Sequence, residues 1–199
     1  HSLARVTDGL DTDASGEDFV VLVLPTPGAS NAPEVVLDTG ETSDTGLDSD
    51  TGVSPVICDI SDAIKINETL VIPSAALPDE GHEWVELYNA GTETVNLAGW
   101  RLQGGASMIG EFVEFGDDVS LAAGDFLLIG DTEVAERDVL ASLALGNAES
   151  DSDIIQLLDC SDEVADTLIY GAPNADGWID DLGEIASSMA PVPSAGESI

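Results

Sequence analysis

Glu83-Trp-Val-Glu-Leu-Tyr-Asn89-Ala-Gly-Thr-Glu-Thr-Val95-Asn-Leu-Ala-Gly-Trp-Arg-Leu102 is the stretch that decides how this chain folds. Its opening run, Glu83–Tyr88, follows a Gly turn and is short and rich in aromatic and branched side chains, which reads as a strand. A polar Gly-containing turn follows, and then a second short run with aromatic and branched residues. The same signature recurs on both sides: Ala63-Ile-Lys-Ile-Asn67 before it, then Glu111-Phe-Val-Glu-Phe115, Asp125-Phe-Leu-Leu-Ile129, Asp153-Ile-Ile-Gln-Leu-Leu158 and Val164-Ala-Asp-Thr-Leu-Ile-Tyr170. Seven short strands with turns between them predict an all-β sandwich. Cys160-Ser-Asp-Glu163 reads as the turn of a hairpin between the last two. The best helical candidate is Val134–Leu145, ended by Gly146-Asn147.

The charge is one-sided. Of 199 residues, 40 are Asp or Glu and 4 are Lys or Arg, a formal charge of −36. Arg5, Lys65, Arg101 and Arg137 cannot build the basic patch that phosphate binding draws on, and an anionic membrane surface is disfavoured for the same reason. No stretch approaches the roughly 20 apolar residues of a membrane span, and no targeting segment is visible. With 43% apolar residues the chain still has enough to bury a core.

Three regions separate by composition. Residues 1–31 hold one apolar run, Phe19-Val-Val-Leu-Val-Leu24, closed by Pro25-Thr-Pro-Gly28 and read as a buried strand. Residues 32–57 repeat Asp-Thr-Gly at 38–40, 44–46 and 50–52, and carry six acids and no base from Glu34 to Gly52. This reads as an acidic, extended, low-complexity linker. Residues 58–199 hold the sandwich.

In order along the chain, Ile64-Lys-Ile-Asn-Glu68, Glu83–Asn89, Val95–Leu102, Leu121-Ala-Ala-Gly-Asp-Phe-Leu-Leu-Ile129, Asp153–Leu158 and Asp166-Thr-Leu-Ile-Tyr-Gly171 resemble a lamin-tail domain over about residues 60–199. The resemblance implies an immunoglobulin-like β-sandwich of about 7–9 strands. It also implies a non-catalytic module of the kind bacteria place in secreted or surface proteins. Ser2–Gly9, Asp18-Phe-Val-Val21 and Pro25–Asn31 resemble the final turn and last strand of the same family. In register, the chain is then the end of one domain, a linker and most of a second domain lacking its last strand, as in a fragment or a piece of a tandem array. Since an unfinished sandwich exposes an open edge, residues 18–24 are expected to fill that place. The 32–57 linker is long enough to allow it, at roughly 3.3 Å per residue, which makes the sandwich circularly permuted.

No constellation demands catalysis. Val35-Val-Leu-Asp-Thr-Gly40 imitates an aspartic-protease loop, but its Asp-Thr-Gly repeats every six residues in an acidic stretch. Glu83 and Glu86, three apart on a strand, point to opposite faces and form no direct pair. His82 lies in a loop, and no Gly-x-Ser-x-Gly elbow accompanies it. Asp11-Thr-Asp-Ala-Ser-Gly-Glu-Asp18 has the front of a calcium loop, yet its twelfth position is Leu22 instead of the bidentate Glu; an acidic turn is the reading, with weak Ca2+ binding as the alternative. Asp48–Gly52 is a shorter partial match. Trp84, Trp100, Trp178, Tyr88 and Tyr170 are read as packing residues, with Trp178 the most exposed and sugar stacking the alternative. No catalytic, cofactor or metal residue is therefore expected. Cys58 and Cys160 are expected to form a disulfide, as an exported setting favours. The functional expectation is an extracellular or cell-surface module for adhesion, binding or positioning. Its partners are other domains of the same exported protein and an unidentified protein or glycan ligand. The alternatives are an accessory domain of a secreted hydrolase, or a structural spacer.

Overall fold

The computed structural model describes residues 1–31, 59–72, 81–148 and 150–192. The Asp-Thr-Gly repeats and Cys58 lie outside them. Twelve strands and one helical turn make up the described fold: β1 (Ser2–Arg5), α1 (Ser15–Asp18), β2 (Phe19–Leu22), β3 (Ile64–Leu70), β4 (Trp84–Asn89), β5 (Val95–Asn96), β6 (Arg101–Gly105), β7 (Gly110–Glu114), β8 (Ser120–Leu121), β9 (Phe126–Gly130), β10 (Val139–Leu140), β11 (Asp153–Leu158) and β12 (Val164–Tyr170). They form a six-stranded sheet in the order β10-β9-β4-β3-β1-β2, a four-stranded sheet β12-β11-β6-β7, and a β5-β8 ribbon. The result is all-β and immunoglobulin-like.

Alternation explains the core. Val85 and Leu87 of β4, Ile64 and Ile66 of β3 and Leu3 of β1 face Leu102, Ile155, Leu157, Leu168 and Tyr170 of the other sheet around a fully buried Trp100. Burying a Leu or Ile side chain is worth roughly 1.5–3 kcal/mol each. All six residues of β11 are buried because both its faces are covered. Ile155 and Leu157 face the core, while Ile154 packs with Ile169, Ala186, Trp178 and Met189 under the segment after β12.

The structure departs from the sequence expectations in four places. Val95–Leu102 is two short strands instead of one run, because Gly99 takes a left-handed φ of 76° that turns the chain between them. Residues 134–145 form no helix: Ala141, Leu143 and Leu145 are buried while Leu140, Ser142 and Ala144 are exposed, a period of two, and Val139–Leu140 pairs parallel with β9. The Phe19–Leu24 run is an edge strand instead of a buried one, with Phe19 covered but Val23 and Leu24 exposed. Finally, it is Ser2–Arg5, and not the 18–24 run, that lies against β3, through Leu3↔Thr69 and Ala4↔Glu68, with β2 outside it.

Candidate functional site

Two groups of buried charge flank β1, one on each face. Leu3 points into the core, so Arg5, two residues on, points inward as well. Asp166 of β12 points inward from the opposite sheet, two residues before the core residue Leu168. The Arg5 Nη2 donates to both carboxylate oxygens of Asp166, at 2.8 and 2.9 Å. Its Nε donates to the carbonyl of Ile66 at 2.7 Å and its Nη1 to that of Leu10 at 2.7 Å. The guanidinium carbon lies 4.7 Å from the centre of the Phe19 ring. Arg5 is 1% exposed and Asp166 is fully buried. A buried guanidinium is tolerated only when paired and hydrogen-bonded to this extent.

Lys65 joins the cluster, donating to Asp11 at 2.7 Å and lying 3.9 Å from Asp166. Asp18 lies 3.6 Å from Arg5 and accepts from the backbone N–H and hydroxyl of Thr12. Burial opposes the charge on Arg5 and Lys65, but the carboxylates outweigh it and hold both pKa values above their ordinary range. Burial likewise opposes ionisation of Asp11, yet Lys65 and Arg5 draw its pKa down. Asp181, from the segment after β12, completes the group: oxygens of Asp11, Asp166 and Asp181 lie within 4.8 Å of one another. Two cations thus face four carboxylates. Burial, then Asp166, push the Asp181 carboxyl up to about 7, and its Oδ1 is buried without a hydrogen-bond partner. Spacing of this kind suits a divalent cation, but the guanidinium and ammonium groups already stand there. Asp11 and Asp18 of the calcium-like loop therefore turn onto Arg5, Lys65 and Thr12, and α1 follows where the loop would close.

On the other face of the six-stranded sheet, Glu86 alternates with the core residues Val85 and Leu87 and so points away from the core. Glu68 stands directly opposite it in the β3–β4 register. Both are fully buried. Residues 25–31 cover them: Thr26 donates its N–H and hydroxyl to Glu68, Gly28 donates its N–H to Glu86, and the Asn31 amide donates to the carbonyl of Asn67 at 3.2 Å. Ser2 donates its hydroxyl to Glu68 and Asn67 its amide to Glu86. Burial raises the Glu68 pKa; burial, helped by Glu68 and Asp8, raises that of Glu86 to about 7.

The residues singled out from sequence fall elsewhere. Glu83 and Glu86 do point to opposite faces; Glu83 accepts from the Leu145 N–H. His82 is half-buried before β4. Trp100 is a core residue, Trp84 is buried on the outer face of β4 that also carries Glu86, and Tyr88 packs on Phe126 with ring centres 4.8 Å apart. Trp178 is half-buried, as Tyr88 is, where the other three rings are buried, and its indole N–H donates to the Ser152 carbonyl. Tyr170 donates its hydroxyl to the Gly146 carbonyl from within the core. Sequence reasoning missed both charge groups. Drawing the β3–β4 hairpin register would have exposed the unfavourable Glu68–Glu86 opposition; nothing local marked Asp166 as the partner of Arg5.

Comparison with curated proteins gave no match. The sequence profile of the Lamin Tail Domain family matches residues 61–172, from just before β3 to just after β12. That span holds β3 to β12, with β1 and β2 outside it, and more than half of the chain. The family is one of immunoglobulin-like modules that are generally non-catalytic. The chain belongs to the lamin tail domain family.

Proposed function

We propose that the chain is a module for adhesion, binding or positioning within a larger exported protein, working outside the cell or on its surface. The observation that carries this reading is the use made of the four basic side chains. Arg5 and Lys65 are spent inside the cluster between the sheets. Arg101 pairs with Asp162 at 2.6 Å and lies 3.8 Å from Glu111, and Arg137 donates to the carbonyls of Thr132 and Val134. Glu114, Asp117, Asp118, Glu133, Glu136 and Glu163 meanwhile face solvent. A surface of this kind takes cations as counterions and repels polyanions. That suits a cell exterior or high salt.

A Cys58–Cys160 disulfide belongs to the same proposal. The Cys160 sulfur lies 3.9 Å from the carbonyl oxygen of Asp59, the residue after Cys58, which supports it. Residues 32–57 are proposed as the acidic tether between modules, and residues 1–31 as the terminal strand segment of a permuted domain. The test is intact-mass spectrometry of protein recovered from the surface of producing cells, alkylated without reduction. The proposal predicts surface recovery and no alkylated cysteine. Protein confined to the cytosol with both cysteines alkylated contradicts it.

A further inference from the structure

The carboxylate pair under residues 25–31 does something that an ordinary sheet position does not. Two acids placed directly across neighbouring strands repel each other when both are ionised, and here neither touches bulk water. A third acid adds to the repulsion: Asp8, in the turn after β1, accepts from the backbone N–H of Asn31 at 3.0 Å and from the Asn67 amide at 3.2 Å. Among the described residues, no Lys, Arg or His forms an ion pair with Glu68, Glu86 or Asp8. The groups packed around the pair from β1, β3 and the 25–31 segment are hydroxyls, amides and backbone N–H. From β9 it is apolar Leu128, which pairs with Glu86 in register.

We propose that Glu86 holds a proton opposite the Glu68 carboxylate and that the pair acts as a pH-sensitive latch that holds the Thr26–Asn31 turn on the outer face of the six-stranded sheet. With the proton in place, one carboxylate and one carboxylic acid serve the donors of Ser2, Thr26, Gly28 and Asn67. When the proton leaves to solvent, two carboxylates oppose each other across the strands under the turn, and undocking it lets water reach them.

Linkage fixes the working window. Glu86 has a pKa of about 7 when docked and an ordinary value of 4.5 when exposed. A raised pKa contributes fully below the exposed value and its contribution is lost as pH climbs to the docked one. Between pH 5 and pH 7.5 the docking constant of the turn falls by about 50-fold.

The experiment is NMR on the full chain. The side-chain carboxyl carbons of Glu68 and Glu86 are titrated, and the exchange protection of the Thr26 and Gly28 amides is followed over the same pH range, corrected for intrinsic rate. The latch predicts a Glu86 midpoint near 7 and a loss of protection at Gly28 of about 50-fold from pH 5 to 7.5, with Leu87 in β4 changing far less. E86Q is expected to flatten the pH dependence at Gly28. A Glu86 midpoint in the ordinary range near 4.5, or Gly28 protection unchanged across the window, overturns the proposal. Should E86Q fail to fold, the wild-type titration alone decides.

Discussion

Replacing Arg5 with Met tests whether the first strand is fastened into the sandwich by charge. The substitution keeps an unbranched apolar stem over Phe19 and removes the guanidinium, which is 1% exposed. It deletes the two bonds to Asp166 and the bonds to the carbonyls of Ile66 and Leu10. Asp166 is then left in the interior with Lys65 at 3.9 Å as its nearest cation. Removing one partner of a buried ion pair costs about 3–5 kcal/mol, against a total stability of about 5–15 kcal/mol for a domain. R5M should therefore lower the urea midpoint severely or unfold the chain. Trp84 and Trp100, both buried, serve as fluorescence reporters. Urea is the denaturant to use, because guanidinium chloride would screen the −36 charge while denaturing. The double variant R5M/D166L removes both charges together and should recover most of the loss, since a buried pair replaced by apolar residues is often neutral in stability. A stability of R5M within about 1 kcal/mol of wild type, the range of an exposed pair, would refute the reasoning.

Two further outcomes follow from the same structure. Asp181 is raised to about 7 from an ordinary 3.8, so folding is favoured by its protonation and that contribution is lost as pH rises from about 4 to 7. D181N should flatten the stability profile over this range and be more stable than wild type at pH 8 by about 1–2 kcal/mol after allowance for its partial exposure, as read from urea midpoints at pH 5 and 8. Cys160→Ala, which removes the proposed link to Cys58, should lower stability by about 2–5 kcal/mol, and reduction of the wild type should give the same midpoint as the variant.

The parts of the fold that could be read from sequence are those in which local pattern and burial agree. Ile64–Leu70, Trp84–Asn89, Asp153–Leu158 and Val164–Tyr170 are short runs rich in apolar and aromatic residues between turn signals, and are strands. Residues 134–145 misled because their apolar spacing suits two periods. Tertiary packing chose the extended one, placing Ala141, Leu143 and Leu145 inward. Ser2–Arg5 was illegible as a central strand because it is four residues long and contains an arginine, and its partners Glu68 and Asp166 lie 66 and 161 residues away along the chain from Ser2 and Arg5. The carboxylate pair was hidden for a similar reason. Glu68 and Glu86 occupy positions that look solvent-facing by alternation, and the segment that covers them comes from 42 and 58 residues earlier.

The central claim is that the first strand is an interior member of the six-stranded sheet, paired with β2 on one side and β3 on the other. Hydrogen–deuterium exchange of the intact chain at pH 6 tests it most directly, by comparing the amides of Leu3, Ala4 and Arg5 with those of Val85 to Leu87. The structure predicts that the two groups are protected to within about tenfold of each other and open together, as members of one cooperative unit do. Exchange of residues 3–5 at the rate of unstructured chain, with β4 still protected, would contradict it.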